Sequence, residues 1–106
     1  MTKTVDAEMA WMIRALWERN QDQVIQRLRL LDRAAAENRQ GHMGEELRHE
    51  AREIAHKLAG SLGIFGFPSG GAIARRMEQL FESGDPDPEL LLELAQQLRG
   101  SLFSQV

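Results

Sequence analysis

Apolar residues recur every three or four positions along most of the chain, which is the spacing of amphipathic helices. Residues 5–39 carry two such stripes in succession, the first made of Val5, Met9, Met12, Ile13, Leu16 and Trp17 and the second of Val24, Leu28, Leu31 and Ala35. Asn20 and Asp22 lie between the stripes, and both residue types are common helix N-caps. The segment is therefore either one bent helix or a short helix followed by a long one, and Gly41 is suited to end it as the C′ residue.

Three more helices are predicted downstream. The second spans about 44–65 and ends before Pro68, because proline lacks an amide hydrogen and restricts the residue before it. The third spans about 69–83. Asp87 opens the fourth as N-cap, followed by a first-turn proline and a first-turn acid. The predicted core residues are Leu47, Ala51, Ile54, Leu58, Leu62 and Phe65 in the second helix, Ile73, Met77, Leu80 and Phe81 in the third, and Leu91, Leu94, Ala95, Leu98 and Leu102 in the fourth.

The connections between these helices are short, so sequential helices are expected to be antiparallel neighbours. No strand pattern or internal repeat interrupts the helical spacing. The sequence therefore predicts an all-α fold: an up-down-up-down antiparallel four-helix bundle with a short additional N-terminal helix, formed by residues 1–106 as a single domain. Two tryptophans, Trp11 and Trp17, are expected to pack under the N-terminal helix, although a contact surface is the alternative.

Composition removes several classes of function. The chain of 106 residues has no cysteine, which excludes disulfides, cysteine-ligated zinc and thiol catalysis. Its net charge of -3 argues against nucleic acid as a partner. No apolar run reaches the roughly 18 residues that span a membrane, and the N-terminus lacks the pattern of a signal peptide. We therefore expect a cytoplasmic protein with no membrane or nucleic-acid partner.

The segment HKLAGSLGIFGF, residues 56–67, carries the candidate chemistry. His56 lies about 160° from Leu58 around the second helix, so its side chain is expected to face solvent. Gly60 and Gly63 then leave this face without large side chains. Either another helix packs closely there, or the surface is clear so that a partner can reach the imidazole. We favour the second interpretation, because Gly60 lies off the buried stripe.

An exposed histidine is a nucleophile near neutral pH, and no serine or cysteine accompanies His56 as a catalytic dyad. Glu78 and His56 lie about 11 residues either side of the turn at 66–69, hence at a similar height in a hairpin. Such a carboxylate can hold one ring N–H, and Arg75 on the same helix face suits an anionic group arriving on the ring. The histidines at 42, 49 and 56 are about 10 Å apart along a helix, too far to share a metal ion.

These residues give a specific resemblance. The stretch from Ala55 to Phe67 resembles the signature of histidine-containing phosphotransfer (HPt) domains, His-x-Leu-Lys-Gly followed by a small residue and Leu/Phe-Gly. The portion from Gly63 to Phe67 is especially similar to the phosphotransfer domain of chemotaxis histidine kinases. The similarity runs without a gap from about Ala51 to Phe81. One position departs from the pattern: Ala59 replaces the family's lysine.

The resemblance implies a role for each matching residue. His56 is the expected phosphoacceptor on Nε2, and Glu78 the expected partner of Nδ1–H. Without the family's lysine, the phosphoryl charge is expected to be balanced by Lys57, Arg75 or Arg52. The surface implied for partner docking consists of Arg52, Ala59, Gly60 and Gly63.

The function implied is that of a phosphorelay intermediate, which exchanges a phosphoryl group with a receiver-domain aspartate or takes it from a histidine kinase. Such a protein is not an enzyme in its own right and binds no metal or cofactor, since Mg²⁺ is expected on the receiver. The alternative is a phosphorylation-incompetent bundle that docks signalling partners, which the loss of the lysine at position 59 favours. An enzyme or metal site is the third possibility and lacks a second catalytic group.

Overall fold

A computed structural model describes the backbone of residues 2–103 and the side chains of residues 6–103. It contains four helices, α1 (Thr2–Arg39), α2 (Glu45–Ser61), α3 (Pro68–Glu82) and α4 (Pro88–Phe103). All regular secondary structure in the described residues is α-helical. The prediction of an all-α fold is confirmed.

The N-terminal segment forms one helix, so the prediction of a short additional N-terminal helix is wrong. α1 runs without interruption through Asn20 and Asp22. The side-chain amide of Asn20 donates to the carbonyl oxygen of Leu16 at 2.8 Å, four residues back. Asn20 therefore bonds within the continuing helix and does not cap a new one.

Glycines with a positive φ lie in the connections that follow α1 and α2. Gly41 has φ 77° after α1, and the amides of Gly41 and His42 donate to the carbonyls of Asn38 and Glu37. This is the Schellman arrangement, with Gly41 at the predicted C′ position. Gly66 has φ 96°, and the amide of the next residue, Phe67, donates to the Leu62 carbonyl at 2.8 Å.

The second and third helices differ from their predicted bounds at the connection between them. α2 ends at Ser61, four residues before the predicted limit, and residues 62–66 form a turn. Gly63 therefore lies in this turn, outside α2. Pro68 begins α3, where its missing amide hydrogen costs nothing because first-turn amides have no partner within the helix. The start of α4 is as predicted: Asp87 Oδ1 accepts from the amides of Glu89 and Leu90 at 3.0 and 3.3 Å.

All four helices contribute to one core. α1 packs against α2 and α4, and α3 packs against the same two helices. Along α2 and α3 residue numbers rise in one helix as they fall in the other, since Arg52 contacts Glu82 and His56 contacts Glu78. The fully buried side chains of largest volume are Val24, Leu28, Leu31, Leu58, Leu62, Met77, Phe81, Leu91, Leu94 and Leu98. The predicted residues Ile54, Phe65, Ile73 and Leu80 lie at the edge of this core, half-buried.

The N-terminal half of α1 extends beyond the bundle. With 38 residues α1 is about 57 Å long at 1.5 Å per residue, whereas the other helices have 15 to 17 residues. The molecule accordingly measures 55 × 27 × 20 Å. The side chains of the first predicted stripe are therefore exposed: Met9, Met12, Ile13 and Leu16. Val5, the first residue of this stripe, lies outside the residues whose side chains are described.

The two tryptophans have different surroundings. Trp11 is 70% exposed, so its predicted packing is wrong. Trp17 is half-buried where α1 enters the bundle, and its ring centroid lies 5.8, 4.7 and 5.7 Å from those of Phe65, Phe67 and Phe103. The turn between α2 and α3 thus supplies two of the three aromatic partners of Trp17.

Candidate functional site

His56 lies on the outer face of α2, and its side chain is 66% exposed. The buried residues of this helix, Leu47, Ala51, Ala55 and Leu58, lie on the opposite side. The imidazole is therefore accessible to a second molecule.

Glu78 projects from α3 toward His56. It is the buried charged residue of the described part of the chain, with 8% of its surface exposed. Its Oε2 lies 2.8 Å from Nδ1 of His56. Because an ionised carboxylate can only accept a hydrogen bond, Nδ1 must donate to it, which leaves Nε2 with its lone pair in the neutral ring.

Three further contacts hold the α2–α3 pair in this register. The Arg48 guanidinium donates to the Phe81 carbonyl, and Arg52 Nε lies 3.2 Å from Glu82 Oε1. On the other side of His56 the helices approach closely at Gly71, where an added Cβ would lie 3.4 Å from the Ala59 carbonyl oxygen. Contacts between α2 and α3 on both sides of the His56–Glu78 pair therefore hold these two side chains next to each other.

Charge interactions at the start of α2 support the same helix. Glu45 Oε2 lies 2.7 Å from Arg48 Nη2, and this hydrogen bond lowers the pKa of Glu45 and raises the pKa of Arg48. Glu45 lies in the first turn of α2, where a negative charge also interacts favourably with the helix dipole. Both effects favour the ionised carboxylate at neutral pH.

The surface next to His56 is open at both glycines singled out by the sequence. Gly60 and Gly63 are exposed, and a Cβ added to either would meet nothing within 4 Å. Close helix packing therefore does not explain them. Such packing occurs instead at Gly70 and Gly71, which the sequence analysis did not single out although they are adjacent glycines at the start of a helix.

The four other predicted site residues divide into two groups. Lys57 and Arg75 are exposed, and neither forms an ion pair with a described acidic side chain. Arg75 lies about 60° from Glu78 around α3, on its solvent side, while Lys57 lies about 100° from His56 around α2. Arg52 is half-buried and bonded to Glu53 as well as to Glu82. Ala59 is half-buried against α3.

The other histidines lie apart from this pair. His42 is exposed in the connection after α1, and His49 Nε2 is 3.7 Å from Glu45 on the surface of α2. Among residues 2–103, no three His, Cys, Asp or Glu side chains are grouped so that they could hold a metal ion. None of the four helices combines the length and the apolar character that crossing a membrane requires.

Comparison with known proteins identifies the family. The sequence profile of the Hpt domain matches residues 12–102, which include α2, α3, most of α1 and α4, and the His56–Glu78 pair. No match was found among curated proteins or solved structures. The match confirms the resemblance seen in residues 55–67. The chain belongs to the Hpt domain family, whose members take part in histidine phosphotransfer in two-component signalling.

Proposed function

We propose that this protein is a phosphorelay intermediate in which His56 accepts and donates a phosphoryl group through Nε2. The observation that carries the proposal is the 2.8 Å contact between Nδ1 and Glu78 Oε2 on a ring that remains 66% exposed. Donation from Nδ1–H to the carboxylate favours the tautomer in which Nε2 keeps its lone pair, and the exposure of the ring supports attack by that atom. The exchange partner is a receiver-domain aspartate, or a histidine kinase that loads the domain.

The proposed step is an in-line displacement at phosphorus. The Nε2 lone pair forms the new N–P bond while the bond between phosphorus and the aspartyl oxygen breaks, and the aspartate leaves as a carboxylate. The ring becomes cationic as it takes the phosphoryl group, with Nδ1–H still bonded to Glu78. A buried carboxylate in this position stabilises the cation, and the reverse step returns the phosphoryl group to an aspartate.

Positioning supplies most of what this chain contributes. Phosphoryl transfer requires the attacking atom to be held near the phosphorus and the developing charge to be balanced. Arg48, Arg52 and Gly71 keep α2 and α3 in register, so the imidazole is oriented before the partner arrives. We propose that Mg²⁺ stays on the receiver and that this chain binds no cofactor and has no catalytic turnover of its own.

Two cations are suited to the phosphoryl oxygens. Lys57 and Arg75 lie on either side of His56 and are not engaged with described acidic side chains, so both can turn toward an anion on Nε2. Arg52 is already bonded to Glu53 and Glu82. We therefore propose that Arg52 mainly stabilises the contact between α2 and α3, and that only its exposed surface takes part in docking.

The docking surface in this proposal consists of Gly60 and Gly63 beside His56, with Ala59 at its inner edge. The open space above both glycines lets the rim of a partner's pocket reach the ring. The proposal also takes the bundle as antiparallel and up-down-up-down, with residues 1–106 as one domain acting in the cytoplasm.

Transfer of label tests the phosphoacceptor. A receiver domain charged from a small phosphodonor is mixed with the wild type, His56→Gln, His42→Gln and His49→Gln. We expect acid-labile label on the wild type and on both control variants, and none on His56→Gln. Label on His56→Gln would disprove the assignment.

The role of Glu78 has its own matched pair. Glu78→Ala is expected to lower the transfer rate by tens-fold or less, because the ring loses its orienting partner while Nε2 remains. Glu82→Ala, one turn further along the same helix, removes a carboxylate that contacts Arg52 and is expected to change the rate much less. If both substitutions lower the transfer rate equally, Glu78 acts only by stabilising the contact between α2 and α3.

The residue at position 59 bears on the lifetime of the phosphohistidine. The family's lysine is absent here, so fewer cations surround the phosphoryl group than in the usual pattern. We expect Ala59→Lys to change the half-life of phosphohistidine in the isolated protein without abolishing transfer. An unchanged half-life would show that Lys57 and Arg75 already supply the balance.

The same departure at Ala59 supports a second candidate, a bundle that docks receivers without accepting phosphate. This candidate predicts that the wild type binds the receiver yet takes up no label. Binding measured by titration alongside the labelling experiment separates the two functions, since a phosphorelay intermediate shows both.

A further inference from the structure

The exposed half of α1 carries an apolar surface that lies outside the proposed docking surface around His56. We call it the N-terminal patch, and it consists of Met9, Trp11, Met12, Ala15 and Leu16 of α1 with Ile64 from the turn after α2. Trp11, Met12 and Ile64 are 70%, 63% and 64% exposed. Contiguous exposed apolar surface of this kind marks a binding surface more often than an inert one. An open groove of about 420 Å³ runs along most of the patch.

Charged residues close the patch at both ends. Glu8 borders it toward the N-terminus and Arg19 borders its groove on the other side. At 100° and 1.5 Å per residue, these two lie about 20° apart around the helix and about 16 Å apart along it. Neither forms an ion pair with a described side chain of its own chain. The patch therefore has an acidic end and a basic end on one face.

A helix that complements this face must present a base opposite Glu8 and an acid opposite Arg19. The same segment of a second copy does so when it runs antiparallel. A two-fold axis between residues 13 and 14 places Glu8 opposite the partner's Arg19. The same axis places Met12 opposite the partner's Ala15. Both pairings thus follow from one symmetry operation.

The side-chain sizes suit this register. Positions 8, 12, 15 and 19 follow the alternating spacing of four and three residues that forms the seam of paired helices. Ala15 is small, so the partner's long, flexible Met12 can pack over it. Trp11 and Leu16 flank this seam and add apolar area at its edges. We infer that residues 8–19 of α1 bind the same segment of a second copy, forming an antiparallel, two-fold symmetric homodimer.

The bundles do not obstruct this arrangement. The core-facing residues of α1, such as Val24, lie about 150° around the helix from the centre of the patch. Most of each bundle therefore lies on the far side of its own α1, with only Ile64 at the edge of the patch, and the two bundles extend in opposite directions from the axis. The patch includes no residue of the His56 site, so the dimer presents two separate copies of it.

Sedimentation of the intact chain over a wide range of concentration tests the dimer. We expect reversible dimerisation for the wild type and a monomer for Trp11→Glu, with unchanged far-ultraviolet circular dichroism because Trp11 lies outside the core. A wild type that stays monomeric would overturn the inference, and the patch would then serve another partner. A Trp11→Glu variant that dimerises like the wild type would overturn it as well.

Charge reversal tests the register. Glu8→Arg or Arg19→Glu alone places like charges opposite each other at two symmetric positions, and each is expected to weaken the dimer roughly tenfold. The double variant restores opposite charges and is expected to recover most of the affinity. In a parallel dimer Glu8 would face Glu8, so the double variant would show no such recovery, and that result would overturn the antiparallel register.

Cross-linking gives an independent test, because the chain has no cysteine of its own. A mixture of Met12→Cys and Ala15→Cys proteins is expected to form disulfide-linked dimers more readily than either protein alone. Glu50→Cys, exposed on α2, serves as the control for random collision. Cross-linking of Met12→Cys with itself in preference to the mixture would contradict the proposed pairing.

Discussion

The two halves of α1 have the same helical pattern and opposite surroundings. In the second half, Val24, Leu28 and Leu31 are at most 2% exposed because α2 and α4 pack along them. In the first half, Met9 and Met12 are 56% and 63% exposed although they recur with the same spacing. The difference lies in the other helices, which are less than half as long as α1.

This comparison separates two properties that apolar periodicity is often taken to indicate together: helix formation and burial of the apolar face within the chain. An apolar stripe shows that a segment forms a helix with one face to bury. Whether that face is buried within the chain depends on the length of the neighbouring helices. The first half of α1 extends beyond its neighbours, and its stripe is available to a second molecule.

Truncation of one side chain in each half should give the largest contrast. Leu28→Ala is expected to lower the free energy of unfolding by about 2–5 kcal/mol, because it removes buried methyl groups and leaves a cavity. Met9→Ala is expected to change it by less than about 0.5 kcal/mol, because the side chain is exposed. Urea denaturation of dilute samples measures both without a contribution from self-association. Similar losses for the two variants would contradict the exposure of the first half.

Trp17 lies at the boundary of the two halves and should give an intermediate effect. Its half-buried ring contacts three phenylalanines, so Trp17→Ala is expected to cost about 2–3 kcal/mol, less than a fully buried aromatic residue. The matched control is Trp11→Ala, expected to stay within about 0.5 kcal/mol in dilute solution. If the two substitutions cost the same, Trp17 does not anchor α1 to the turn after α2.

Features set by local chemistry could be predicted from the sequence. Asp87 caps α4 and Gly41 ends α1, because both depend only on neighbouring backbone groups. The proximity of Glu78 to His56 could be predicted by counting residues either side of a short turn. In each case the determining residues are close in sequence or joined by a connection of known length.

Features set by tertiary contacts could not be predicted in this way. The end of α2 at Ser61 depends on a turn in which the amide of Phe67 reaches the Leu62 carbonyl, and the apolar spacing continues through it. The exposure of Trp11 depends on where α2 and α4 stop. The tight contact at Gly70 depends on Leu62 in the turn after α2 and on two residues of α4, so the pattern of α3 alone does not indicate it.

Glycines also differ in whether their surroundings are crowded or open, and Gly70 is a crowded one. A Cβ at Gly70 would lie 3.1 Å from Ser101 Oγ, 3.2 Å from Leu102 Cδ2 and 3.3 Å from Leu62 Cδ1. Gly70→Ala is therefore expected to lower stability by about 1 kcal/mol, because crowding by these three side chains exceeds the gain in helix propensity. Thermal unfolding measures the change. A stabilised variant would show that these three side chains shift freely and that the contact is loose.

The smallest expected effect concerns Gly60, which is exposed near the end of α2, and Gly100, which is exposed near the end of α4. A Cβ at either position meets nothing within 4 Å, so alanine is expected to raise stability by about 0.5–1 kcal/mol in both cases. The two variants should differ in function, because only Gly60 lies beside His56. We expect Gly60→Ala to slow phosphoryl exchange with a receiver and Gly100→Ala to leave the rate unchanged. If both variants are stabilised equally and exchange the phosphoryl group at the same rate, the space above Gly60 is not used in docking. The absence of a side chain at Gly60 would then lower stability without any gain in phosphoryl exchange.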